Sequence, residues 1–299
     1  MIENINWYPG HMKKTRELIA QNLKAVDVVV EIVDARIPVS SRNPIIDELV
    51  AGKKRIVVLG KGDLADEAAC TEWIKNIKST GHHAVMMNSM TGEGSKNLMQ
   101  TLEKIDRERR QSGVPLENGD AQGKVSPEMN VKKNRPLRIM VVGVPNVGKS
   151  SFINRMTGKK STQVGDRPGV TKGKQWLTLK NGMQLLDTPG ILWPKFEDPK
   201  VGLYLAFCGS IKDEILDSAD LALELIRLLQ ERYPDLLMAR YKLDELDEDA
   251  LANMEAIAAK RGFIMAGKRI DYERTARTVL DEFRAGKIGR ITLEAPAEN

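Results

Sequence analysis

Cysteine is nearly absent. The chain of 299 residues has only Cys70 and Cys208, and they lie too far apart to make a metal-binding spacing. Neither a disulfide framework nor a cysteine zinc site can be built from them, and a reducing compartment is the expected setting. Aromatic residues make up only 5% of the chain, which argues against a surface that reads single-stranded nucleic acid by stacking. No stretch approaches about 18 uninterrupted apolar residues, so no membrane span is expected. The first residues, MIENINWYPGHMKK, lack the apolar core of a signal peptide. A cytoplasmic location is the expectation. There are no internal repeats. The net charge of +5 and pI near 9.0 are mildly basic. They permit a nucleic-acid partner without requiring one.

Hydrophobic residues, at 41%, suffice for a substantial core, and the length allows about two domains. Residues 12–25 read as a basic helix. Asp27–Asp34 (DVVVEIVD), Arg55–Leu59 and Ala84–Met87 are apolar on both faces, as buried parallel strands are. Helical stretches around 43–50, 67–80 and 95–110 alternate with them, which predicts an α/β sheet. Residues 112–135 are rich in Gly, Pro and polar residues and read as a linker. A further strand, Leu137–Val142, leads into a glycine-rich loop, and a helix begins at Lys149. Leu177–Leu179 and Gln184–Leu186 read as a strand pair turning at Asn181-Gly182. From about Gly209 the strand signal disappears. Asp217–Gln230 is Leu-rich, a helix is predicted between Asp247 as cap and Gly262 as stop, and another ends before Gly286. The division expected is 1–208 and a small all-α domain over 209–299.

The glycine-rich loop is Gly143-Val144-Pro145-Asn146-Val147-Gly148-Lys149-Ser150, a full G-x-x-x-x-G-K-S between a strand and a helix. In such loops the backbone N–H groups from Asn146 through Val147 and Gly148 to Ser151 surround phosphates at a helix amino terminus. Lys149 is expected to reach the β- and γ-phosphates, and Ser150 to ligate Mg²⁺. About 35 residues on, Asp187-Thr188-Pro189-Gly190 ends a strand. Asp187 there is expected to hold Mg²⁺ through water, and the Gly190 N–H to sense the γ-phosphate. Between the two, a glycine-flanked Thr171 is the candidate for completing the Mg²⁺ shell, with Thr162 as the alternative.

The base-reading candidate, Gly60-Lys61-Gly62-Asp63, comes about 80 residues before the phosphate loop. Guanine offers two adjacent donors that one carboxylate can accept, and adenine does not. Asp63 sits at the carboxyl end of a strand, where parallel sheets bind ligands. The Lys61 stem can lie over the base. After the next strand, the Ser89–Met90 backbone is placed to donate to the guanine carbonyl. GTP is therefore expected rather than ATP.

In this order the motifs resemble those of the circularly permuted GTPases. The resemblance rests on Trp7-Tyr8-Pro9-Gly10-His11-Met12, Asp34-Ala35-Arg36-Ile37-Pro38, GVPNVGKSS, the PGVT loop, DTPG followed by Ile191-Leu192-Trp193-Pro194, and the helical carboxyl-terminal part. It covers essentially the whole chain. It implies a circularly permuted P-loop GTPase domain, a mostly parallel sheet with helices on both faces, followed by an all-α domain. It further implies GTP/GDP and Mg²⁺ as ligands, and the large ribosomal subunit precursor with its rRNA as partner of a monomeric protein. Ile191 and Leu192 stand where many GTPases carry a water-orienting Gln, so hydrolysis is expected to be slow without an activator. The resemblance makes His11 the candidate replacement; packing or RNA contact is its other reading. Asn146 resembles the ligand of K⁺ in potassium-stimulated relatives, and is otherwise a turn-forming Asn. The family motif is Asn-Lys-x-Asp, and Gly60 departs from it. That departure is expected to weaken binding by about 1–3 kcal/mol.

From Ala252 to Arg290 there are nine Lys/Arg against five Asp/Glu. Arg274, Arg277 and Arg284, with Lys260-Arg261 and Lys268-Arg269, form a candidate face for RNA phosphates. A metabolic P-loop kinase, an RNA-binding scaffold with a structural nucleotide, and a permuted GTPase of the small subunit are the other readings.

Overall fold

The computed structural model describes residues 11–111, 135–158, 176–188, 190, 192, 196–213 and 216–296, without the side chains of 11–15. Its centre is a six-stranded sheet made of β1 (Val28–Asp34), β2 (Lys54–Gly60), β3 (His83–Met87), β4 (Arg138–Val142), β5 (Trp176–Thr178) and β6 (Gln184–Asp187). The order is β3-β2-β1-β4-β6-β5. All neighbours are parallel except β5 and β6. That antiparallel pair turns at Asn181-Gly182, as expected, with Gly182 at φ 82°.

The strands are apolar on both faces because both faces are covered. On one side Val29, Met140 and Leu186 pack with Ile19 of α1 (His11–Leu23) and Ile46 of α2 (Pro44–Val50). On that side also, Val57 and Leu59 meet Trp73 and Ile77 of α3 (Glu67–Ser79). On the other side Val30, Val58 and Val141 share a core with Leu98, Leu102 and Ile105 of α4 (Ser95–Gln111) and Phe152 of α5 (Lys149–Thr157). Glu31 is a charged exception in the middle of β1. It is buried against Arg55 on β2, with Arg42 at 3.6 Å. Burial raises its pKa, partly offset by the two guanidiniums. Arg55 also pairs with Asp47 of α2, which fastens that helix to the sheet.

The chain builds outward from β1 to β3 first. It then restarts beside β1 at β4, takes the other edge at β5 and returns with β6 between them. Direction therefore reverses between β1 and β4, and the cleft at their carboxyl ends is where such sheets bind ligands. This order places the segment after β2 next to the loop after β4, although it precedes that loop in sequence.

Among the described residues five helices follow: α6 (Pro199–Phe207), α7 (Ser218–Arg232), α8 (Pro234–Tyr241), α9 (Ala250–Arg261) and α10 (Tyr272–Arg284). Phe207, Leu225 and Phe283 belong to the same buried cluster as Val30 and Val141. Two sequence expectations fail here. Strand structure does recur, as a short hairpin of β7 (Ile264–Met265) and β8 (Arg269–Ile270). The cap of α9 is Asp249, which accepts from Leu251 N, while Asp247 accepts from Asp249 N one turn earlier. Both carboxylates are spaced for capping, and only the backbone decides between them.

Asp34 and Arg36 join the sheet to the helices. The Arg36 guanidinium forms a fork with Asp34, at 2.9 and 2.8 Å, and both are 1% exposed. Its other nitrogen lies 3.4 and 3.5 Å from the carbonyls of Phe283 and Arg284, at the end of α10. The same guanidinium lies over the Phe283 ring, 5.2 Å from the centroid. Removing one partner leaves the other charge buried and the last turn of α10 without its donor, a loss of about 3–5 kcal/mol. Arg36→Ala is therefore expected to lower unfolding free energy by about that amount in urea titrations. A loss below about 1 kcal/mol would show that water replaces the guanidinium at this junction.

Candidate nucleotide-binding site

The loop from Gly143 to Gly148 follows β4 and delivers its backbone to the start of α5. Gly148 sits at φ 97° as the residue preceding α5, a conformation that side chains rarely adopt. A Cβ on Gly143 would lie 2.4 Å from Ile32 O, so the loop can leave β4 only with glycine there. Val147 is buried, and Ser150 and Ser151 are half-buried in the first turn of α5. The amino terminus of that helix thus faces the cleft, the arrangement that suits phosphate.

Lys149 is folded into the loop. Its Nζ donates to Val144 O at 2.5 Å. Burial lowers its pKa to about 8, and Asp187 nearby opposes that shift. An enclosed ammonium of this kind fits an anionic ligand, which would favour its charged form. Asp187 is buried at the end of β6, in register with Val141 of β4. Gly190 closes the cradle from that side, since a Cβ there would lie 2.7 Å from Lys149 Nζ and 2.9 Å from Pro145 N. Lys149, Ser150, Asp187 and Gly190 are thus gathered around one loop.

The base candidates lie at the ends of the next strands. Lys61 follows β2 in the left-handed conformation, φ 57°. Its Nζ is 3.0 Å from Asp34 Oδ2, which tethers its stem across the ends of β1 and β2. Burial alone would raise the Asp34 pKa, but Arg36 and Lys61 overturn this and hold it well below the usual carboxylate range. Asp63 is exposed in the same loop. Asn88, after β3, accepts from Met90 N at 2.8 Å and Thr91 N at 3.1 Å. The Met90 amide is therefore already engaged, and donation to a guanine carbonyl requires that bond to be shared. Arg155 of α5 reaches across to Ser89 O at 2.9 Å, tying this loop to the phosphate side. Sequence reasoning missed Arg155, Asp34 and Arg36 as neighbours of the site. Two of the three lay in plain view in the Asp-Ala-Arg motif.

Asn146 adopts φ 59°, and its amide nitrogen donates to Gly209 O at 2.6 Å. A cation ligand at this residue would have to be the amide oxygen. Thr171, Thr162 and Ile191 lie outside the described residues, as does the side chain of His11. His11 is the first residue of α1.

The basic carboxyl-terminal face is largely neutralised by the protein itself. Arg261 pairs with Glu282, Lys260 with Asp244, Arg277 with Glu273 and Arg284 with Asp213. Arg274 lies over Phe263, 4.4 Å from the ring centroid. Lys268 and Arg269 stay exposed in the hairpin. Sequence spacing reveals only the Arg277–Glu273 pair, four residues apart on one helix.

Two outcomes follow for nucleotide binding. The Lys149 pKa of about 8 would rise beside phosphate. Affinity should therefore hold steady below about pH 8, fall as pH climbs above it, and be coupled to proton uptake. Calorimetry at about pH 8.5 in buffers of different ionisation heat should give buffer-dependent enthalpies, and equal enthalpies would refute the uptake. The second concerns Gly60, where a Cβ would lie 3.2 Å from Val147 O, 3.3 Å from Ile32 Cγ2 and 3.4 Å from Val33 O. Its φ is ordinary, so an asparagine fits with a shift of a few tenths of an ångström and brings an amide to the phosphate loop. Gly60→Asn is expected to tighten GDP binding by about tenfold in a fluorescent-nucleotide titration. Weaker binding would mean that these carbonyls do not give way.

Residues 138–266 match the family model described as 50S ribosome-binding GTPase. Along nearly its whole length the chain is 45% identical to Ribosome biogenesis GTPase A of Bacillus cereus, with 98% of this chain and 95% of that protein covered. It is likewise 45% identical to the protein of the same name from Priestia megaterium, covering 98% of each. Among solved structures, GNP-bound YlqF from T. maritima superposes with a TM-score of 0.65 at 28% identity, over 96% of this chain and 100% of that one. A phosphate loop of this geometry, a mostly parallel sheet and relatives of such extent leave one assignment: the chain is a GTPase and belongs to the ribosome biogenesis GTPase A family.

Proposed function

We propose that the protein is a GTP-gated assembly factor for the large ribosomal subunit. It binds precursor particles and their rRNA in the GTP form and leaves after particle-stimulated hydrolysis. The observation that carries this reading is the joining of a phosphate loop and a guanine-type acceptor loop in one cleft, in a chain whose full-length relatives are named for ribosome biogenesis. The description of the matching family model supports the large subunit over the small one.

In this reading Asp63 accepts the two guanine donors, with Lys61 along the base and the Ser89–Met90 backbone at its carbonyl. Asn146, Val147, Gly148, Lys149, Ser150 and Ser151 hold the phosphates. Ser150, Thr171 and, through water, Asp187 would hold Mg²⁺, which supplies positive charge where negative charge develops. Asn146 is the proposed K⁺ ligand. His11 is the proposed water-orienting group, since Leu192 is buried and apolar. The switch works only if the GTP and GDP forms differ in affinity for the particle. The chain to residue 208 would form the GTPase part, and 209–299 the helical part that meets RNA. Among the described residues no helix is long and apolar enough to cross a membrane. We place a monomeric protein in the cytoplasm.

GTP turnover with purified subunits, in Mg²⁺ buffer with KCl or NaCl at equal ionic strength, tests this. The expected result is slow turnover alone and strong stimulation by large subunits in KCl, lost in Lys149→Ala. Stimulation by small subunits instead would redirect the assignment. Absence of stimulation by either, with nucleotide binding intact, would overturn it. Equal rates in the two salts would remove the potassium site.

A further inference from the structure

The loop that carries Asp63 has few ties of its own: Leu64 N donates to Lys61 O at 2.9 Å, Ala65 is buried, and Lys61 is held by Asp34. Gly60 gives it no side chain at its root, and Lys61 enters in a left-handed conformation. Its other anchors come from the far end of the chain. After α10 the tail folds back over this loop. Arg290 donates from Nη2 to Gly62 O at 3.1 Å and from Nε to Ala65 O at 2.8 Å, and it pairs with Glu67 at 3.1 Å. Ile291 N donates to Leu64 O at 3.0 Å. Asp66 N donates to Thr292 Oγ1 at 3.1 Å. Every residue of the loop from 62 to 66 except Asp63 thus makes a backbone contact with the tail.

The tail itself is fixed on its other side. Tyr233 donates to Thr292 O and Arg232 to Leu293 O, both at 2.7 Å. Leu293 N donates to Arg36 O at 2.7 Å, and Trp73 donates to Glu294 O at 2.9 Å. A guanidinium whose planar fork meets two carbonyls fixes a turn better than a lone ammonium can.

We infer that Arg290 is a positioning residue for guanine recognition. Its fork and the Thr292 hydroxyl hold the backbone on both sides of Asp63, so that the carboxylate meets the two guanine donors already oriented. The inference rests on reading Asp63 as the base acceptor. It predicts that the tail sets base discrimination as well as affinity, because a loosened carboxylate loses most where both donors must be met together.

The test compares GTP with ITP, which lacks the exocyclic amine. Equilibrium affinities would be measured for wild type, Arg290→Ala, Arg290→Lys, Thr292→Val and Asp63→Asn, with thermal unfolding as a control on folding. The expected result for Arg290→Ala is about tenfold weaker GTP binding and a GTP-to-ITP preference reduced by at least about threefold. Arg290→Lys should recover part of both. Thr292→Val keeps the charge and size while removing the acceptor of Asp66 N, and should shift the preference the same way. An unchanged preference in both tail variants, while Asp63→Asn abolishes it, would overturn the inference. So would an equal loss for both nucleotides, which is what a merely structural role produces. If Asp63→Asn leaves the preference intact, the base assignment fails, and the inference fails with it.

Discussion

One buried carboxylate organises the junction on which the site is built. Asp34 ends β1, at the point where strand order reverses, and it is essentially out of water. A bare carboxylate there would be prohibitively costly. Arg36 and Lys61 make it tolerable, and each is thereby committed to a place. Arg36 is pulled under the end of α10, and Lys61 is pulled across the strand ends towards the base loop. Ser41 adds a third tie by accepting from the Asp34 backbone amide at 2.9 Å. Such pairs contribute little net stability against an apolar alternative. Their effect is to fix which loop lies beside which helix.

The helices after Gly209 touch both halves of the cleft. On the phosphate side, Ser210 donates to Pro145 O at 2.9 Å, and Gly209 O accepts from Asn146. Arg284 donates to Ala206 O and Phe207 O, and its fork on Asp213 closes the same corner. On the base side the tail after α10 lies along the loop of Asp63. Arg284 and Arg290 lie six residues apart and serve opposite ends of the site. The helical part is therefore joined to the cleft by directional bonds at both ends.

Much of this was legible in the sequence, and the failures have physical causes. Apolar runs such as VVVEIVD announce strands covered on both faces, and G-x-x-x-x-G-K-S between a strand and a helix announces its own geometry. The inverted order of the two motifs needed only the sheet to become adjacency. Two helices went unread although each begins with a proline, Pro199 or Pro234, which at the first helical position is a start signal, as Pro44 is for α2. The β7–β8 hairpin is two residues per strand, too short for any periodicity to show. Pairings failed for another reason. Glu282, which takes both Arg240 and Arg261, lies over 20 residues from either, so the basic face looked available when much of it was already neutralised. The tail contacts with residues 62–66 span more than 220 residues of sequence and leave no local pattern at all.

The distribution of these bonds constrains how a partner could act. A partner that displaces the helices relative to the sheet cannot do so without stressing Arg36, Asn146 or the tail, because these cross the boundary. Coupling is reciprocal: if docking tightens those bonds, nucleotide must tighten docking by the same factor. Couplings of this kind typically amount to about 1–3 kcal/mol, or about 5–150-fold. That range matches what one or two hydrogen bonds to buried or charged groups can transmit. No large rearrangement is required. A shift of less than an ångström at Gly209 or Arg290 would alter bonds of 2.6–3.1 Å on the two sides of the cleft. The short loops, rather than the sheet, are then the elements with two arrangements to choose between, since the strands beneath them are buried on both faces and packed.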